Sequence, residues 1–310
     1  MDGGASNMAE NTRARVVCTV IGSITLALAT AGCGSDSGGF GDDPFGGKDS
    51  AKTNARNAAA MVLTAVDKVH KTDSVKVRLE QSLPSGMKTK AEGVVKFGEP
   101  AGMRLNMDMS QTVAGAPANV EMLMTSTAMY MNMGPAVAAE TGGKSWLKLD
   151  FTGLASLDKS GNGAALGETL SKSMSQQDPT AQLSLLKQSG DITEVGTETV
   201  NGVSAVHYSA TVDLSAAASA SADTLGLSPE TLARLKEANA AIGATTSNFD
   251  VWIDPKSDMP VKQKVAMKTT AGDMASTVDY SGWGTKVDLT PPPADETADM
   301  LELLSQTDGA

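Results

Sequence analysis

Ile192 to Leu214 reads ITEVGTETVNGVSAVHYSATVDL. Two runs rich in β-branched residues meet at Asn201-Gly202, the dipeptide best suited to a two-residue hairpin turn. The spacing predicts antiparallel strands over 192–199 and 203–214. Downstream, Phe249, Val251 and Ile253 alternate with Asp250, Trp252 and Asp254. The turn from Asp254-Pro255 to Met259-Pro260 leads into a strand at 261–270, and 274–280 and 283–290 follow. Upstream, Val75, Val77 and Leu79 alternate with Lys76, Arg78 and Glu80, and further strands are predicted at 91–97, 103–111, 120–125, 127–133 and 146–151. Their connections are short, as in a meander with one wet face.

Three of these strands carry methionine on one side: Met103, Leu105, Met107 and Met109; Val120, Met122 and Met124; Met129, Met131 and Met133. Methionine fills irregular gaps in cores and recurs on adaptable apolar binding surfaces. The rows therefore read either as core beneath helices or as the lining of a ligand cavity, and the two are compatible. On the later strands, alternation puts Trp252 on the wetter face with Asp250 and Asp254. Trp283, between Gly282 and Gly284, is expected to be buried at one end of the sheet.

Helices interrupt the strands. Ala58, Met61, Val62, Ala65, Val66 and Val69 recur at three- and four-residue spacing and predict a helix over 51–71, with Ser50 as its cap. Shorter helices are expected at 164–173, from Asp178-Pro179 to Gly190, and from Ser228-Pro229. Residues 216–222 read as a low-complexity Ala/Ser stretch. The pattern is α+β, with helices covering one side of a single curved antiparallel sheet. Pro291-Pro292-Pro293 is expected to end the fold, leaving 294–310 as an acidic disordered tail with at most one frayed helical turn at Met300 to Leu304.

The N-terminal region has another character. Val16 to Gly32 is uncharged, follows Arg13 and Arg15, and ends in Ala31-Gly32 before Cys33. A basic flank, a short apolar run and a small-residue exit form an export signal, here 1–32. A cysteine at the exit resembles the lipobox of bacterial lipoproteins, although the position three before it, usually Leu, is Thr30. Cleavage before Cys33 and its diacylation would anchor the protein, because two acyl chains hold where one is marginal. Gly34 to Ser50, rich in Gly, Ser and Asp, completes a lipidated flexible tether over 33–50, spanning about 20–25 Å. The expectation is an extracytoplasmic domain, 51–293, lipid-anchored at the cell membrane.

A net charge of −11 disfavours nucleic-acid binding, which needs clustered cations. The two cysteines, Cys18 and Cys33, both lie at or before the expected cleavage site, so no disulfide or thiol nucleophile is expected in the domain. The two histidines, His70 and His207, have no sequence partner at metal-ligand spacing, and no nucleophile elbow, phosphate loop or dinucleotide fingerprint occurs. No metal, cofactor or catalytic residue is expected.

The lipobox at Cys33, the linker, the first helix with SVKVRLEQ after it, the hairpin NGVSAVHYSATVDL, VWIDPKSDMPVKQKV and the closing VDYSGWGTKVDLTPPP together resemble the actinobacterial LppX/LprG-type lipoproteins. The resemblance covers roughly 51–293 and implies a LolA-like half-barrel, helices on its concave side, with a hydrophobic cavity for acyl chains of envelope lipids. On that basis the expected partner is a lipid or lipid-like apolar ligand; the Met rows, candidate lining by their alternation alone, are this sequence's own departure from the family. An envelope sensor or protein-interaction module on the same fold is the alternative.

Overall fold

The computed structural model describes residues 49–97, 100–108, 119–153, 192–221 and 229–307. The expected export signal and tether through 48, with Cys33, Met109 and the helices expected at 164–173 and 178–190, lie outside the described residues.

Helix α1 (Asp49–His70) begins one residue before Ser50, which therefore lies within it rather than capping it. Strands β1 (Ser74–Ser82), β2 (Lys88–Lys96), β3 (Gly102–Asp108), β4 (Asn119–Thr125) and β5 (Ala128–Asn132) follow as a meander. Helix α2 (Gly134–Glu140) leads to β6 (Trp146–Asp150). The hairpin β7 (Thr193–Val200) and β8 (Val203–Asp213) turns at Asn201 and Gly202, with φ of 50° and 80°. Both values belong to the primed turn that the strand twist favours.

Helix α3 (Leu214–Ser221) occupies the Ala/Ser stretch read as low complexity. Alanine is the strongest helix former, and the Asp213 carboxylate accepts the Ala216 N–H at 2.7 Å across the first turn. Helix α4 (Pro229–Ala241) precedes β9 (Thr246–Asp254), β10 (Met259–Thr269) and β11 (Gly272–Ser281).

After β11 the structure departs from expectation. Residues 283–290 are not a strand, and the triple proline does not end the fold. The chain runs back as an irregular strap. The Ser74 hydroxyl donates to the Thr285 carbonyl, and Arg104 donates to the Asp288 and Thr290 carbonyls, both at 3.1 Å. A 3₁₀ turn (Ala294–Glu296), strand β12 (Thr297–Asp299) and helix α5 (Met300–Thr307) then replace the expected disordered tail. The turn expected at Met300 to Leu304 falls within α5, but the acidic composition of 294–310 hid the packing around it. Ala298 and Met300 are buried, and Leu301 and Leu303 pack beside them.

The twelve strands of the described residues form one curved, open sheet in the order β12-β6-β5-β4-β3-β2-β1-β11-β10-β9-β8-β7. Every pairing is antiparallel except β12 with β6. The pairing of β1 with β11 joins the two halves of the chain, from Lys76↔Ser281 to Ser82↔Ala275. The fold is the expected α+β half-barrel.

Candidate functional site

Because successive strand residues face opposite ways, the register fixes which side chains share a face. One row runs Tyr208–Val251–Gln263–Val278–Leu79–Ala91–Met107–Val120 across β8 to β4. The neighbouring row runs Tyr280–Val77–Gly93–Leu105–Met122–Met131–Leu147–Ala298 across β11 to β12. Both lie on the side that α1 and α5 cover, here the inner face. On β1 to β6 and β8 to β11 this face carries no Asp, Glu, Lys or Arg. The opposite row alternates charge instead: Lys262, Asp279, Arg78 and Glu92 are successive cross-strand neighbours.

Two packed clusters occupy the ends of the inner face. At one, Ala58, Val62, Ala65 and Val66 of α1 pack on Tyr208, Ala210, Val212, Phe249, Val251 and Ile253. At the other, Met300 of α5 joins the Met rows, Leu147, Leu149 and Phe151. Met103, Leu105, Met107, Met122, Met124, Met129, Met131 and Met133 are between 2% and 8% exposed and belong to this second cluster. The structure thus brings the candidate lining residues together, except Met109, which lies outside the described residues.

Between the clusters, on β1, β11 and β10, the described residues give thinner cover: Val77 and Leu79 pack against the Met cluster and Val265 against the α1 cluster, each only partly buried. Val77, Leu79, Val265, Met267, Met274, Val278 and Tyr280 are only half buried. Gln263 is buried among them and accepts a hydrogen bond from the Tyr280 hydroxyl at 3.1 Å. Burial pushes the Tyr280 phenol well above its ordinary ionisation range, so it stays a neutral donor. Its ring stacks on Trp283 at 5.5 Å, and Phe97 meets Trp283 edge-on at 6.4 Å. This half-open strip is the candidate site. Sequence reading passed over it because Gln263 and Ser276 dilute the apolar alternation of β10 and β11, while the Met rows stand out by composition.

The two tryptophans reverse their expected roles. Trp252 faces outward, as alternation requires, yet it is buried, with Val200, Ala205 and Val261 around it. Its ring stacks on His207 at 4.2 Å, its indole N–H donates to Glu198 at 2.9 Å, and Lys262 sits 5.1 Å from the ring centroid. Neighbouring side chains, rather than the face, decide its burial. Trp283 is half buried at the end of β11, its indole donating to the Pro260 carbonyl at 3.1 Å.

The register also supplies His207 with partners that linear spacing did not show. Its Nδ1 lies 3.0 Å from Glu198 and its Nε2 lies 3.0 Å from Asp250, on the two flanking strands. The imidazole lies between the two carboxylates, and both of its nitrogens are taken. Among the described residues no group of three His, Cys, Asp or Glu could hold a metal ion.

The chain is 38% identical to an uncharacterised 31.2 kDa protein of Streptomyces griseus, over 62% of its own length and 60% of that relative's. It is 28% identical to a protein of Streptomyces coelicolor predicted to be a lipoprotein, over 96% of this chain and 99% of the relative. Among solved structures, the lipoprotein LppX of Mycobacterium tuberculosis superposes with a TM-score of 0.45 at 14% identity, over 76% of this chain and 99% of that one. No family model matches.

Proposed function

We propose that this is a lipid-anchored envelope protein that binds an acyl-chain ligand on the inner face of its sheet and carries out no catalysis. The observation that carries the reading is the uncharged apolar register across β1 to β6 and β8 to β11, packed at both ends and half covered in the middle. Soluble proteins rarely leave a contiguous apolar strip open without a use for it. Laying hydrocarbon along Val77, Leu79, Val265 and Val278 removes apolar surface from water on both partners, worth roughly 25 cal/mol per Å². That gain offsets the cost of drawing a chain out of a membrane.

The same reading assigns residues 1–32 to export, Cys33 to diacylation and the stretch to Ser50 to a tether. The domain then sits extracytoplasmically, within reach of the membrane surface. The relative in Streptomyces coelicolor supports that placement. Among the described residues no helix is long and apolar enough to cross a membrane. The Met-rich end, from Met103 to Met133, would receive the chain termini, since thioether side chains rearrange at low cost.

Titration with a fluorescent fatty-acid probe tests the reading. Leu79→Asp and Val278→Asp place a charge at partly buried positions of the strip, where it repels hydrocarbon in variants that remain folded. Probe affinity is expected to fall at least about tenfold, the effect of some 1.4 kcal/mol. Wild-type affinity in both folded variants contradicts the proposal. In cells, Cys33→Ala is expected to release the protein from the membrane fraction or leave an uncleaved precursor.

A further inference from the structure

The half-open strip is not uniformly apolar. Gln81 of β1 stands directly opposite Ser276 of β11 on one side and Thr89 of β2 on the other, and all three face inward. They are half buried, and among the described residues none of their side chains makes a hydrogen bond. Cross-strand neighbours lie about 5 Å apart, so the three polar groups form one contiguous patch. The next row along each strand is apolar: Val278, Leu79 and Ala91, leading to Met107 and Val120.

Resting on the lipid-binding reading, we infer that Gln81, Thr89 and Ser276 receive the headgroup of the bound lipid, and that this headgroup is uncharged. An amide and two hydroxyls offer donors and acceptors together, matching ester carbonyls and free hydroxyls. The inner face of β1 to β6 and β8 to β11 holds no Lys or Arg to meet a phosphate. An anionic headgroup drawn onto it would lose hydration without gaining a charge partner. A bare hydrocarbon would leave the three polar groups without partners, which also costs affinity. The preferred ligand class is therefore an acylglycerol-like lipid, with its polar end at Gln81 and its chains directed toward the Met-rich end.

Three probes on the purified full-length protein test this: a diacylglycerol, a phosphatidylglycerol with the same chains, and hexadecane, each competing with a fluorescent acyl probe. Diacylglycerol is expected to compete at about tenfold lower concentration than phosphatidylglycerol. Gln81→Leu and Thr89→Val are expected to weaken diacylglycerol about three- to tenfold each while leaving hexadecane unchanged or improved. Equal or better competition by phosphatidylglycerol overturns the inference, as does unchanged diacylglycerol affinity in both folded variants. The wild-type preference decides the matter even if a variant misfolds. Either failure, with hexadecane still competing, leaves lipid binding standing. No competition by any of the three overturns lipid binding and this inference together.

Discussion

Trp252 is held by three neighbours at once: the His207 ring beneath it, the Glu198 carboxylate on its indole N–H, and the Lys262 ammonium above it. Removing it empties a packed site and leaves those groups without their partner. Trp252→Ala is expected to cost about 3–5 kcal/mol in urea unfolding, and Trp283→Ala less, because Trp283 is half exposed. Acrylamide should quench Trp283 more than Trp252 in single-Trp variants, and the reverse order contradicts the assignment. Alternation was enough to place Trp252 on the outer face. It could not show the burial, which comes from Val200, Ala205 and Val261. Asp150 makes a second test at this scale. The Thr152 hydroxyl and then Lys148 stabilise its carboxylate and hold its pKa down at about 2, below the ordinary 3.8. A folded-state pKa below the unfolded one adds stability above about pH 4, and that stability is lost as the pH falls toward 2. Asp150→Asn should flatten this part of the stability profile, as acid titrations of both proteins would show.

At the scale of elements, the strap from β11 to β12 depends on Arg104. Its guanidinium pairs with Glu121 at 2.7 Å and donates to two strap carbonyls. Arg104→Met should cost about 1–3 kcal/mol. It should also raise amide exchange across 285–299 before it affects β9 or β10, and uniform loosening would contradict a local clamp. The Met rows give another element-level test. Met122 is 2% exposed, so Met122→Ala should destabilise by about 2–5 kcal/mol. If the row also receives chain termini, Met122→Gln should weaken lipid uptake per folded molecule as well. Unchanged uptake would leave it as core alone. The strands and the turn at Asn201-Gly202 were legible because both signals are local. The strap was not legible, because extended residues such as Val287 and Leu289 carry a strand-like pattern whether or not a neighbour pairs with them. Of the C-terminal helix only a frayed turn at Met300 to Leu304 was legible; its packing was not, because acidic residues dominate the stretch while Met300 turns inward.

At the scale of the whole molecule, the sheet is continuous because β1 pairs with β11, strands that stand nearly two hundred residues apart in sequence. Local periodicity predicts each strand but says nothing about this closure. The closure is what places Leu79 beside Val278, and Gln81 beside Ser276. The candidate site therefore emerges only in the assembled sheet, while the proposed anchor at Cys33 rests on the sequence alone. If the inner face holds a lipid, that lipid should travel with the protein. Native mass spectrometry of the protein purified from its own host, under conditions that preserve noncovalent contacts, tests this most directly. The expected result is a population heavier than the acylated chain by the mass of an acyl lipid, lost on gentle activation and depleted in Leu79→Asp. A protein that carries only its covalent acyl chains, and takes up no lipid when incubated with vesicles of its host's lipids, would contradict it.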